Sequence, residues 1–107
     1  MEEHQKPVVV PWDFTNVAEN ALAHAVKISR MAGNEICLLH IVDKDIKPAA
    51  EGEKKVLLQH VADENGKKYS MQINTAIVKG SIFTAIADFV NEKDASVVVM
   101  STSMLVK

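Results

Sequence analysis

Apolar residues along this chain fall into two rhythms that alternate from one end to the other. The runs Pro7-Val8-Val9-Val10-Pro11 and Ile36-Cys37-Leu38-Leu39-His40-Ile41-Val42 have the unbroken hydrophobicity of strands covered on both faces of a parallel sheet. They predict strand one over 7–11 and strand two over 35–42. Between them Val17, Ala18, Ala21, Leu22, Ala25, Ile28 and Ala32 recur at helical spacing. Asn16 followed three positions later by Glu19 reads as a capping box, and Gly33 as the stop, which predicts a first helix over 17–32. A second helix from about 49 to 65 rests on Val56, Leu57, His60, Val61 and Glu64, with Pro48 before it and Gly66 as its end signal. Residues 71–78 set Met71, Ile73, Thr75 and Ile77 against Gln72, Asn74 and Ala76, the alternation of a strand at a sheet edge. Gly80 permits a tight turn and Ser81 is a good N-cap. Ile82, Phe83, Ile86, Ala87, Phe89 and Val90 then form an amphipathic third helix to about Glu92. Val97 to Met100 is a fourth strand.

Strict alternation of strand and helix with short connections defines an α/β domain, a doubly wound parallel sheet with helices on both faces and right-handed crossovers. The apolar character of strands one and two against the alternation of strand three gives the neighbour order 3-2-1-4. Leu22 and Phe83 are expected to be buried on opposite sides of that sheet. In such a sheet ligands bind where the first strand ends, at the topological switch point, and this chain places Asp13 there.

Composition narrows the function. A chain of 107 residues is one domain, large enough for a core of its own. The net charge of −2 lacks the basic excess that nucleic-acid binding requires. Cys37 is the single cysteine, so no intramolecular disulfide forms, and a reducing cytoplasm is the expected setting. No stretch has the length of a membrane span, and the polar opening Met-Glu-Glu-His-Gln-Lys carries no export signal. His4, His24, His40 and His60 have no metal-ligand spacing, and they read as helix, strand and tail residues. Ser81 lacks the Gly-x-Ser-x-Gly setting of a nucleophile and is explained by capping. The methionines read as core filling, and Lys54-Lys55 and Lys67-Lys68 as solvated helix charges. Catalysis is not expected.

Val8-Val9-Val10-Pro11-Trp12-Asp13-Phe14-Thr15, the alanine-rich helix, Leu38-Leu39-His40-Ile41-Val42, the Gly80 turn and Ala95-Ser96-Val97-Val98-Val99-Met100-Ser101-Thr102 together resemble the universal stress protein family in order and spacing. The resemblance implies a parallel sheet of order 3-2-1-4-5. It also implies a crevice that binds ATP or a related adenine nucleotide in some members, while others dimerise and bind none. Carried onto this chain, it makes Asp13 an acceptor for the nucleotide, sets Pro11 and Ile41 beside the base and Met100 near it, and lines the crevice with Trp12 and Ser101. A carboxylate suits ribose hydroxyls or a base amino group because, when ionised, it only accepts. The same Asp13 also fits a local task, satisfying donors in the loop ahead of the first helix.

One departure bears on the ligand. Nucleotide-binding members follow the fourth strand with a loop of spaced glycines whose amides cradle phosphates. Here Met100-Ser101-Thr102-Ser103-Met104-Leu105-Val106-Lys107 carries no glycine, and the last helix and fifth strand are missing. The rhythm breaks off without a capped element and leaves Val97-Val98-Val99-Met100 as an apolar edge, which reads as a domain incomplete at its C-terminus. Two functions are compatible with these features. One is a small cytoplasmic stress-response regulator with an adenine-nucleotide crevice. The other is an interaction module of the same fold that forms a homodimer and binds no nucleotide. The 107 residues are expected to bind ATP weakly or not at all, and a chain extended through a glycine-rich loop to bind it through Asp13.

Overall fold

The computed structural model describes residues 7–93 and 97–99. In chain order the elements are β1 (Val8–Pro11), α1 (Asn16–Ala32), β2 (Ile36–Val42), α2 (Pro48–Tyr69), β3 (Ile73–Lys79), α3 (Ile82–Lys93) and β4 (Val97–Val98). The strands form one sheet in the order β3-β2-β1-β4. All pairings are parallel, with Val8 opposite both Ile36 and Val97, and Ile36 opposite Ile73. The sequence predicts this order, and the central position of β1 explains why Val8, Val9 and Val10 are fully buried.

Alternation of side chains along each strand divides the core in two. Val8, Val10 and Trp12 of β1 and its loop join Ile36 and Leu38 of β2 beneath α1 and α2, where Leu22, Val26, Leu58 and Ala62 close the layer. Val9, Cys37 and Leu39 face the other way, onto Ile86 and Phe89 of α3. Leu22 is buried as expected, and α3 lies across the sheet from it; the side chain of Phe83 is outside the described residues.

Three local readings are corrected by the structure. The cap of α1 is Thr15 rather than Asn16: Thr15 is extended (φ −113°, ψ 166°) and its side chain accepts from the Ala18 N–H, while Asn16 is already helical. Both residue types cap well, and the turn at Phe14 decides between them. The exposed face of α2 includes Val56, 70% accessible, and Leu57. Its inward face is set by Leu58 and Ala62, four residues apart. Finally, α2 runs through Gly66 to Tyr69 and stops at Ser70, which takes the left-handed conformation (φ 55°, ψ 50°) usually left to glycine. As a result β3 begins at Ile73 rather than residue 71.

Gly66 serves a close approach instead of a stop. The Met71 N–H donates to the Gly66 carbonyl at 3.0 Å, folding the turn back on the helix, and a Cβ on Gly66 would lie 2.9 Å from the Met71 carbonyl oxygen. That oxygen is backbone and cannot swing aside. Alanine improves an ordinary helix position, but here the overlap outweighs the propensity gain. Gly66→Ala is therefore expected to lose about 1 kcal/mol in a urea titration; a gain in stability would show that the turn yields.

Candidate functional site

The carboxyl end of β1 opens because of what stands there. Even-numbered residues of β1 bond toward β2, as Val8 and Trp12 show by donating to the carbonyls of Glu35 and Leu39 at 2.7 and 2.8 Å. Odd-numbered residues bond toward β4, where the Val99 N–H donates to the Val9 carbonyl at 2.9 Å. Pro11 is next in the odd set and has no N–H, so it cannot continue the ladder toward β4. A proline at the end of a central strand thus marks the position where β1 and β4 lose a rung. This is the switch point of the sheet, since β2 leads away from β1 on one side and β4 returns on the other.

The loop after β1 is tied by its side chains to the start of α1. Asp13 is half-buried. Its Oδ1 accepts from the Thr15 Oγ1–H at 2.6 Å and from the Thr15 N–H at 3.2 Å. Thr15 Oγ1 in turn accepts from the Ala18 N–H at 3.2 Å. Asp13, Thr15 and the first turn of α1 are therefore one relay. Among the described residues, Asp13 Oδ2 has no partner. Thr15→Ala removes both the cap and the anchor of Asp13. It is expected to cost about 1 kcal/mol of stability, with Thr15→Ser close to the parent, in parallel thermal melts; equal melting of all three would deny the relay any role in stability.

The residues named from sequence are distributed over both faces. Ile41 packs on the α3 side with Val9 and Leu39. Pro11, the last residue of β1 in register, stands opposite Leu39, two residues along the strand from Val9 and so on the same face. Pro11 and Ile41 thus share the α3 side of the carboxyl edge, and Asp13 stands in the loop that leaves it. The Trp12 side chain turns the other way: it is 3% exposed in the α1/α2 core, and among the described residues its buried indole Nε1 has no hydrogen-bond partner. Trp12 is thus a core residue and adds almost nothing to the loop's outer surface. Met100 and Ser101 lie outside the described residues.

Two residues at this edge escape sequence reasoning. Phe14 has a left-handed backbone (φ 62°), uncommon without a glycine or asparagine. Its ring meets Trp12 edge-on at 6.4 Å and His40 at 4.9 Å, and Lys54 Nζ lies 5.6 Å from its centroid. His40 Nδ1 is 2.7 Å from the Trp12 carbonyl oxygen. No spacing signals these contacts, because the partners come from different elements. Among the described residues, no group of three or more His, Cys, Asp or Glu side chains is placed to hold a metal ion, and no helix is long and apolar enough to cross a membrane.

A parallel sheet of this order, opened by a proline at its switch point with a carboxylate beside it, is the architecture the sequence resemblance anticipates. The family model of the universal stress protein family matches residues 5–105, and the chain belongs to that family. It is 24% identical over 114 residues to universal stress protein MJ0531 of Methanocaldococcus jannaschii, a match that covers 95% of this chain and 67% of the relative. A universal stress protein structure from Archaeoglobus fulgidus DSM 4304 superposes with a TM-score of 0.75 at 23% identity, covering 89% of this chain but 33% of the other. Also similar is the Archaeoglobus fulgidus universal stress protein solved in complex with dAMP, with a TM-score of 0.75 and 21% identity over 90% of this chain and 79% of the other. The chain thus spans a third of one of these proteins and larger shares of the others.

Proposed function

We propose that the carboxyl edge of β1 binds the nucleoside end of an adenine nucleotide, and that the protein acts as a small cytoplasmic stress-response regulator of its family. The observation that carries the reading is Asp13. One carboxylate oxygen is fixed by Thr15, the other has no partner among the described residues, and apolar Pro11 and Ile41 border the strand ends from which its loop departs. An oriented acceptor beside an apolar wall suits a ribose or a base amino group lying flat against the strand ends. The family relative solved with dAMP supports an adenine nucleotide as the ligand class.

The phosphates have a weaker claim. Residues 100–107 contain no glycine, so the backbone cradle that spaced glycines provide is not encoded in that segment. AMP is accordingly the natural probe of the 107 residues, and ATP is expected to gain little over it. A second reading is favoured by the same relay that fixes Asp13: a carboxylate whose observed bonds serve Thr15 alone belongs to a loop without a ligand, in an interaction module that pairs with a second copy. Calorimetric titration with AMP separates the two. Binding that weakens in Asp13→Ala supports the nucleotide crevice, and no detectable heat returns Asp13 to its local task.

A further inference from the structure

We propose that His40 is the positioning residue of this crevice, holding the β1–α1 loop from the α1/α2 face of the sheet so that Asp13 is presented to the ligand; this role rests on the nucleotide reading above. Trp12 is gripped at both ends of its peptide. Its N–H donates to the Leu39 carbonyl at 2.8 Å, the last rung of the parallel ladder. The next rung of that ladder would bring the Ile41 N–H to the Trp12 carbonyl. The carbonyl is held instead by the ring of His40, with Nδ1 at 2.7 Å. A carbonyl only accepts, so Nδ1 carries the proton and donates. A side chain from β2 has thus replaced a backbone rung, and β1 is released from the sheet one residue before Asp13.

Once released, the chain enters a conformation that needs support. Phe14 sits at φ 62°, a cost for a residue with a bulky side chain, and such conformations persist where surrounding contacts over-determine them. Here the support is the same histidine. The His40 and Phe14 rings meet edge-on at 4.9 Å and 75°, with Trp12 flanking Phe14 and Lys54 at its side. One imidazole therefore fixes the peptide before Asp13 through its nitrogen and the residue after Asp13 through its ring. Neighbouring Ile41 points to the α3 side. Successive residues of β2 thus serve the site from its two faces, His40 by aiming the loop and Ile41 by bordering the ligand.

Two substitutions and one spectrum test this role. His40→Leu keeps an apolar body and removes the donor; His40→Asn returns an N–H at the δ position. With AMP as the probe, His40→Leu is expected to weaken calorimetric binding about tenfold, and His40→Asn to recover most of the loss. In the absence of nucleotide, the backbone amide signals of Asp13, Phe14 and Thr15 should move in His40→Leu and return toward the parent in His40→Asn. In the unsubstituted protein the imidazole nitrogen spectrum should place a proton on Nδ1, a readout that needs no variant to fold. Parent-like AMP affinity in a folded His40→Leu, no recovery in His40→Asn, or a His40 ring protonated on Nε2 alone would each overturn the proposal. A parent chain that binds no AMP overturns the nucleotide reading and the positioning role with it, and the loop amides and the ring spectrum still show whether the clamp itself exists.

Discussion

Leu22→Ala is expected to remove about 2–5 kcal/mol from the unfolding free energy. Leu22 is 1% exposed at the centre of the layer between α1 and the sheet, among Val8, Val10, Ala18, Val26 and Leu38. Apart from Val26, its buried neighbours along its own helix are alanines at 18, 21 and 25, which bring α1 close to β1 but offer no side-chain length to fill a vacated space. The strand residues beneath it are fixed by ladders on both sides, since β1 pairs with β2 and β4 at once. A site that cannot collapse retains its cavity, which favours the upper part of the range. Urea titration of the two proteins with a common m-value measures the loss. A change near zero would mean that α1 presents a different face to the sheet. Val56→Ala on the outer face of α2 is the internal comparison, because that side chain is 70% accessible and its removal should cost little.

Much of this fold is legible because the sheet's central strands leave a simple trace. Unbroken valines at 8–10 and the run from Ile36 to Val42 can only be strands buried on both sides, and their lengths and separation leave room for one crossover helix. The helix phases are harder to read. In α2, Val56 and Leu57 are the more hydrophobic pair, yet Leu58 and Ala62 face the sheet. A helix with few apolar residues takes its orientation from packing rather than pattern. Gly66 looks like a terminator because glycine is best known in that role, whereas its lack of a side chain is used against the Met71 carbonyl. At the site, Asp13 and Pro11 are visible from position alone. The clamp is not, because the contact joins residues 28 apart in sequence, and nothing in the identity of Phe14 announces a left-handed backbone.

The second large effect is expected at Asp13. Asp13→Ala should weaken AMP binding by about 10- to 100-fold, the loss of one or two hydrogen bonds to a charged acceptor at roughly 1.5–3 kcal/mol each. The effect on stability should be smaller, because the Thr15 side chain keeps its own bond to the Ala18 N–H when the carboxylate is gone. Affinity and stability are thereby separated: a purely local Asp13 would lose stability and leave affinity untouched. ATP is expected to bind the 107 residues no more tightly than AMP, since Met100 to Lys107 offer no spaced glycines for the added phosphates. A chain extended through a glycine-rich loop should favour ATP and retain its dependence on Asp13.

The most direct measurement is therefore a calorimetric titration of AMP into the 107-residue protein and into its Asp13→Ala variant, with thermal melts showing that both are folded. Saturable binding by the parent, weakened at least about tenfold in the variant, is the predicted result. Equal affinity in the two proteins, or no binding by a folded parent, would contradict an Asp13-centred nucleotide crevice.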